Sequence, residues 1–177
     1  MRVFSISPGG VSESDAPPQQ LPPLGHVWIA CTRQEFETGW PQLQATLQAL
    51  CSLQLVDLHV SDLLNAQLPS HFDYTSQYDL LVFSRLATGV GQAVSRETDQ
   101  GASRRSGPPI LRHIDTSPVG FAVFERVLLS VHPADCAARD AYASRLLQVT
   151  SNDVRTANSR LPASPADLML RIVNQIV

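Results

Sequence analysis

Hydrophobic positions near the N-terminus first alternate with polar ones and then form a continuous apolar run. Val3, Phe4 and Ile6 predict a short first strand, and residues 27–31 predict a second strand that is buried on both faces. Residues 7–25 lie between them and are rich in Pro, Gly, Ser and Gln. This composition predicts a mobile loop.

A capping box marks the first helix. Thr32 is followed three residues later by Glu35, so a helix is expected to begin there. Leucines spaced at helical intervals from residue 41 to residue 53 continue the pattern, and Pro41 suits the first turn of a helix that starts at that residue. A further short helix is predicted at residues 56–65, and Pro69 follows its end.

In the middle of the chain, apolar runs of the length of a strand lie on either side of a segment whose hydrophobic residues show no periodic spacing. Residues 78–86 predict a strand, and residues 87–109 predict a second mobile loop. Three short strands are expected afterwards, at residues 110–114, 119–124 and 127–131. The last two are close enough in sequence to form a hairpin.

Helical spacing returns in the last third of the chain. It predicts one helix at residues 134–149 and a final helix for which Ser164 is the N-cap and Pro165 the first residue. That final helix is still apolar at Val177 and has no closing glycine, asparagine or basic turn. The sequence therefore predicts a truncated helix and a natural protein that continues beyond it.

Strands and helices alternate along the whole chain. This order predicts an α/β fold in which a mixed parallel and antiparallel sheet is sandwiched between helices, an α/β/α arrangement. With 177 residues and 44% hydrophobic content, the chain is expected to form a single domain over residues 1–177.

Charge and cysteine content narrow the function classes. The net charge is -3 and the longest basic run is Arg104–Arg105, so no nucleic-acid partner is expected. Three widely spaced cysteines favour buried thiols in a reducing compartment over a disulfide framework. No signal peptide and no membrane-spanning run is recognised, which predicts a soluble intracellular chain.

Three short constellations contain residues that can bind metals or catalyse reactions. His132, Asp135 and Cys136 lie together at a predicted strand-to-helix junction, although Asp135 is equally explained as a helix cap. The pairs at residues 71–74 and 113–115 combine His with Asp, and a structural role is the alternative for both. No nucleophile elbow, Walker sequence or HExxH motif is present, so spacing alone identifies no active site.

Three segments together resemble a known family. Residues 57–65 followed by 78–83 resemble the short helix, loop and strand in the cytoplasmic domain of CorA-type divalent-cation transporters. Residues 118–132 are similar to a hairpin of that domain. Residues 164–177 are similar to the helix that leads into its stalk. The family's Gly-Met-Asn signature lies outside this chain.

The resemblance implies a non-enzymatic regulatory domain. It would be the N-terminal cytoplasmic, cation-sensing domain of a homopentameric transporter for Mg²⁺, or for Co²⁺, Ni²⁺ or Zn²⁺, in the inner membrane. The stalk and the membrane helices would be absent from this chain. A stand-alone α/β protein that binds a small molecule or nucleotide is the alternative, and an enzyme built on His132–Cys136 is a third hypothesis.

The resemblance also implies a weak site for a regulatory Mg²⁺ at the boundary between subunits. The matching positions are Ser61, Asp62 and Asn174, of which only Asp62 is an acid. In the family, loss of these ions lets the ring become asymmetric and the pore open. Because much of the ring contact would come from the missing segments, the chain alone is expected to be a monomer or a weak oligomer.

Overall fold

Strands and helices alternate in the structure as the sequence predicts. The computed structural model describes residues 1–86, 116–134, 136–152 and 161–176. The elements are, in chain order, β1 Arg2–Ser7, β2 Gly10–Ser14, β3 His26–Thr32, α1 Arg33–Cys51, α2 Asp57–Leu64, β4 His71–Tyr74, β5 Asp79–Leu86, β6 Thr116–Val123, β7 Val127–His132, α3 Ala137–Asn152 and α4 Pro165–Ile176.

The strands of the described ranges form one mixed sheet of seven, in the order β2-β1-β3-β7-β6-β5-β4. The central pair β3 and β7 is parallel, with Ile29 opposite Leu129, and the other neighbours are antiparallel. The predicted hairpin is confirmed as β6 and β7, which are joined by a turn that the Phe124 N–H closes on the Val127 carbonyl.

Helices cover both faces of the sheet, so the α/β/α prediction is confirmed. One core lies under α1 and α2 and contains Ile29, Phe36, Leu47, Leu63 and Leu129. The other core lies under α3 and α4 and contains Trp28, Phe121, Leu128, Tyr142, Leu168 and Ile172. Neighbouring residues of β3 and β7 enter opposite cores because successive side chains of a strand point to opposite faces. This explains why both strands read as continuous apolar runs.

The prediction that residues 7–25 are entirely loop was wrong. Gly10–Ser14 forms strand β2, which pairs antiparallel with β1 along the edge of the sheet. Pro8 and Gly9 occupy the turn between the strands, and Gly10 has a φ of 139°, which favours glycine. The Pro, Gly and Ser residues of this segment predicted a loop. Backbone hydrogen bonds to β1 nevertheless allow residues 10–14 to form a strand, although few of them are apolar.

The prediction that Pro41 lies in the first turn of a helix was also wrong. Arg33–Cys51 is one continuous helix with Pro41 in its interior, and it begins at the expected capping box. Glu35 N–H donates to Thr32 Oγ1, and Thr32 N–H donates to the Glu35 carboxylate. An interior proline costs one helical hydrogen bond. Burial of Phe36 and Leu47 against the same face of the sheet keeps the two halves aligned.

Other boundaries differ more modestly. Strand β4 was not predicted, and β6 begins at Thr116, before the predicted start at residue 119, with Pro118 inside it. In α4, the predicted cap is confirmed because Asp167 N–H donates to Ser164 Oγ. The predicted strand at 110–114 and the predicted loop at 87–109 lie outside the described residues.

Within the described ranges, no helix combines the length and apolar character needed to cross a membrane.

Candidate functional site

Helix α2 carries two of the three predicted site residues and lies on the sheet between α1 and β4. His59 and Leu63 point inward, one turn apart. Leu63 packs directly over Gly120 of β6, where an added Cβ atom would lie 2.3 Å from Leu63 Cδ2. Asp62, the neighbouring residue of α2, lies beside β4, where its carboxylate is close to His71.

A chain of hydrogen bonds, buried at His59 and Tyr78, connects α2 to β4. The Val56 N–H donates to the Tyr78 hydroxyl over 3.0 Å, and His59 Nδ1 lies 2.8 Å from the same hydroxyl. The other ring nitrogen, Nε2, donates to Asp73 Oδ2 over 3.1 Å, because a carboxylate can only accept. The His59 hydrogen bond, together with the Tyr74 backbone N–H, holds the pKa of Asp73 below its usual range.

A second His–Asp contact lies beside the first. His71 Nε2 is 3.6 Å from Asp62 Oδ2, and both side chains are partly exposed. In the first contact α2 supplies the imidazole and β4 the carboxylate. In the second contact α2 supplies the carboxylate and β4 the imidazole. Residues 71 and 73 share a face of β4 because side chains two apart in a strand point the same way. Residues 59 and 62 are close on α2 through helical spacing.

The three predicted metal ligands do not meet within one chain. Ser61 and Asp62 lie on α2, and Ser61 is exposed. Asn174 is an exposed residue of α4, which packs on the opposite face of the sheet. A cation that contacted all three residues would have to lie between two copies of the chain.

The junction at His132 and Cys136 is closed to solvent. Both side chains are at most 1% exposed. Trp28 Nε1 donates to Ser130 Oγ over 2.7 Å, and the hydroxyl lies 2.8 Å from His132 Nε2. Burial lowers the pKa of His132 to about 3, so the imidazole is neutral and accepts the hydroxyl proton. Asp135 lies outside the described residues.

The three cysteines are free thiols. Burial raises the pKa of Cys31 to about 12 and that of Cys51 to about 11. Cys31 and Cys136 are buried, as predicted for all three, whereas Cys51 is partly exposed. Thiols with raised pKa values contain little of the thiolate that acts as a nucleophile or metal ligand.

Among the residues that the structure describes, no group of three or more His, Cys, Asp or Glu side chains is arranged to hold a metal ion. The His–Asp contacts between α2 and β4 each involve only two such side chains. Sequence reasoning noted residues 71–74 only as an isolated His–Asp segment. The alternation that puts His71 and Asp73 on one strand face was the available signal, but their partners on α2 depend on tertiary packing.

Solved structures with a fold similar to that of this chain include one cytoplasmic domain and two complete proteins. A crystal structure of the ZntB cytoplasmic domain from Vibrio parahaemolyticus matches 99% of this chain with a TM-score of 0.60 and 14% sequence identity. Full-length CmaX matches 99% with a TM-score of 0.58 and 14% identity. The CorA magnesium transporter from Methanocaldococcus jannaschii matches 99% with a TM-score of 0.59 and 11% identity.

This chain shares their fold. The resemblance to the cytoplasmic domain of CorA-family transporters is therefore confirmed at the level of the fold. The chain spans 57%, 43% and 44% of the lengths of the three proteins. No protein-family model matches the sequence, and no curated protein matches it.

Proposed function

We propose that this chain is the cytoplasmic, cation-sensing domain of a CorA-like transporter for Mg²⁺ or a related divalent cation, such as Co²⁺, Ni²⁺ or Zn²⁺. The single observation that carries the proposal is the match of 99% of the chain to the ZntB cytoplasmic domain. A fold by itself hosts many functions, so the residues of the candidate site have to support the assignment.

The positions of Ser61, Asp62 and Asn174 support a sensing role at a subunit boundary. They lie on opposite faces of the domain, so a ring of copies would place α2 of one subunit against α4 of the next. Each boundary would then offer one carboxylate, one hydroxyl and one amide. Mg²⁺ binds through few protein oxygens and keeps several waters, so this set suits a weakly held regulatory ion.

The rest of the proposal follows the same family resemblance. The full-length protein would be a homopentamer in the inner membrane, with this domain on the cytoplasmic side. Occupied boundary sites would hold the ring symmetric and the pore closed. Loss of the ions at low internal Mg²⁺ would release the subunits and open the pore.

The alternative of a stand-alone binding protein has less support. A cavity of about 190 Å³ lies between the N-terminus and α1, beside Cys31, Phe36 and Leu43. Pockets for drug-sized ligands typically enclose about 300–1,000 Å³. This cavity is therefore small for a nucleotide.

Reconstitution of the full-length gene product in liposomes tests the function. We expect Mg²⁺ uptake that falls when Mg²⁺ is present on the side of this domain, and Asp62→Ala should weaken that inhibition. Asp57→Ala is the matched control, because it removes the same charge from an exposed position of the same helix. Absence of cation flux through the full-length protein would refute the proposed function.

A further inference from the structure

The cavity of about 190 Å³ lies between α1, the end of β3 and the N-terminal segment. Its buried side is lined by Cys31, Phe36 and Leu43, each of which is at most 4% exposed. Gly39 of α1 also lines the cavity, and a Cβ atom added there would have no neighbour within 4 Å. Packing of α1 on the sheet therefore leaves this space unfilled.

The volume of the cavity suits a small organic molecule. An apolar cavity of about 150 Å³ in a protein is large enough to hold benzene. The space beside α1 therefore accommodates one six-membered ring with a short substituent, about eight non-hydrogen atoms in all.

The charged groups that line the cavity are paired with each other. The Met1 ammonium group donates to Glu35 Oε1, and Glu35 Oε2 accepts from the Thr32 N–H of the capping box. Burial raises the pKa of Cys31 to about 12, so its thiol is uncharged near neutral pH. A charged ligand would therefore lose its hydration without gaining an unpaired opposite charge.

One polar side chain of the lining is available to a ligand. The amide of Gln42 has no hydrogen bond within the described part of the chain. The hydroxyls of Thr38 and Thr46, which also line the cavity, donate to backbone carbonyls of α1. Gln42 thus offers both a donor and an acceptor to one polar group of a bound molecule.

We propose that this cavity binds a small, uncharged organic molecule that has one ring and one hydroxyl or amide group. The ring would pack against Phe36 and Leu43, and the polar group would form a hydrogen bond with Gln42. The site is separate from the three family-derived cation positions and does not depend on the proposed function.

NMR titration of the 177-residue chain with benzyl alcohol, a molecule of this size and polarity, tests the site. The backbone amide resonances of Gly39 and Leu43 should shift to saturation with a dissociation constant on the order of 1 mM, as burial of one aromatic ring implies. Benzoate and benzylamine have the same ring with a charge. Each should bind at least about tenfold more weakly, because its charge has no partner in the cavity.

Gly39→Leu fills the cavity from the helix side and should weaken benzyl alcohol binding by about tenfold or more. Ala45→Leu is the matched control, because it adds the same side chain at an exposed position of the same helix. It should leave the affinity within about twofold of the wild-type value. Circular dichroism checks the fold of each variant, and Thr46→Leu blocks the cavity from a second position if Gly39→Leu does not fold.

Three results would each overturn the proposal. The first is the absence of a saturable shift at benzyl alcohol concentrations that leave the fold intact. The second is equal affinity for benzyl alcohol, benzoate and benzylamine. The third is benzyl alcohol binding that a folded cavity-filling variant leaves unchanged.

Discussion

Individual residues in this domain owe their chemistry to what surrounds them. His132 is fully buried between the sheet and α3, with Ser130 on its Nε2 atom and the Phe121 ring 6.1 Å away, edge to face. Burial is the largest influence on its pKa. Arg139, Arg85 and Arg33 act in the same direction, and Asp140 opposes them. The histidine is therefore a neutral hydrogen-bond acceptor in the core.

The lowered pKa of His132 predicts that the free energy of unfolding depends on pH. The unfolded imidazole takes up a proton below about pH 6.5, whereas the folded one resists until about pH 3. The folded state should therefore lose stability as the pH falls below 6.5, by at most about 1.4 kcal/mol per pH unit from this group. Urea unfolding at pH 7, 5.5 and 4.5 measures the slope. His132→Gln, which keeps a polar atom near Ser130, should reduce it, and an unchanged slope would contradict the assignment.

The isolated chain is expected to bind Mg²⁺ only weakly, because Asp62 is the one acid among the three family-derived positions. Two of the three family-derived positions are neutral, and they lie on different faces of the monomer, so charge and geometry both favour weak binding. We expect a dissociation constant no tighter than about 1 mM. Asp62→Ala should abolish the remaining binding, and Asp57→Ala should not. Micromolar Mg²⁺ binding in an NMR titration, or binding unaffected by Asp62→Ala, would show that Mg²⁺ binds elsewhere.

Secondary-structure elements pack closely enough that one glycine sets a helix position. Gly120 of β6 leaves the space that Leu63 of α2 fills. Gly39 of α1 provides a contrast, since a Cβ atom added there has no neighbour within 4 Å. The same substitution should thus have opposite effects at the two positions.

Gly120→Ala should destabilise the fold by about 1–3 kcal/mol because the new methyl group displaces Leu63. In a Leu63→Ala background the same change should cost much less, since the clash is gone. Gly39→Ala should stabilise α1 by about 0.5–1 kcal/mol through helix propensity. Chemical denaturation of the single and double variants measures these differences. Additive effects of Gly120→Ala and Leu63→Ala would contradict the packing argument.

At the scale of the whole molecule, the sheet is covered by helices on both faces. Large side chains fill both cores, and the match to the ZntB cytoplasmic domain extends over 99% of the chain. The same match spans only 57% of that domain. The proposed ring would draw contacts from the part that the match leaves out.

The chain should accordingly be a monomer or a weak oligomer at micromolar concentration. Stable protein interfaces usually bury more than about 1,000 Å² in total, and much of that area would come from the unmatched part of the proposed parent. Multi-angle light scattering with and without Mg²⁺ measures the mass. A stable pentamer of the isolated chain would show that this domain alone contains the ring interface.

The sequence by itself determined the elements whose signals are local. The capping box at Thr32 and Glu35 and the Ser164 cap depend on residues three positions apart, and the apolar runs of β3 and β7 reflect burial on both faces. Local pattern could not reveal β2 and β4. These short edge strands have mixed polarity, and their hydrogen bonds come from strands that the chain places beside them.

Only the tertiary structure decided which side chains form the candidate site. Asp62 could be identified from the family resemblance, but its contact with His71 requires α2 to pack over β5 and β6, next to β4, and the contact of Leu63 with Gly120 is part of that packing. The separation of Asn174 from Asp62 likewise follows from which face of the sheet each helix covers. Periodicity along one element predicts which side of that element is buried, whereas contacts between elements depend on the shape of the whole core.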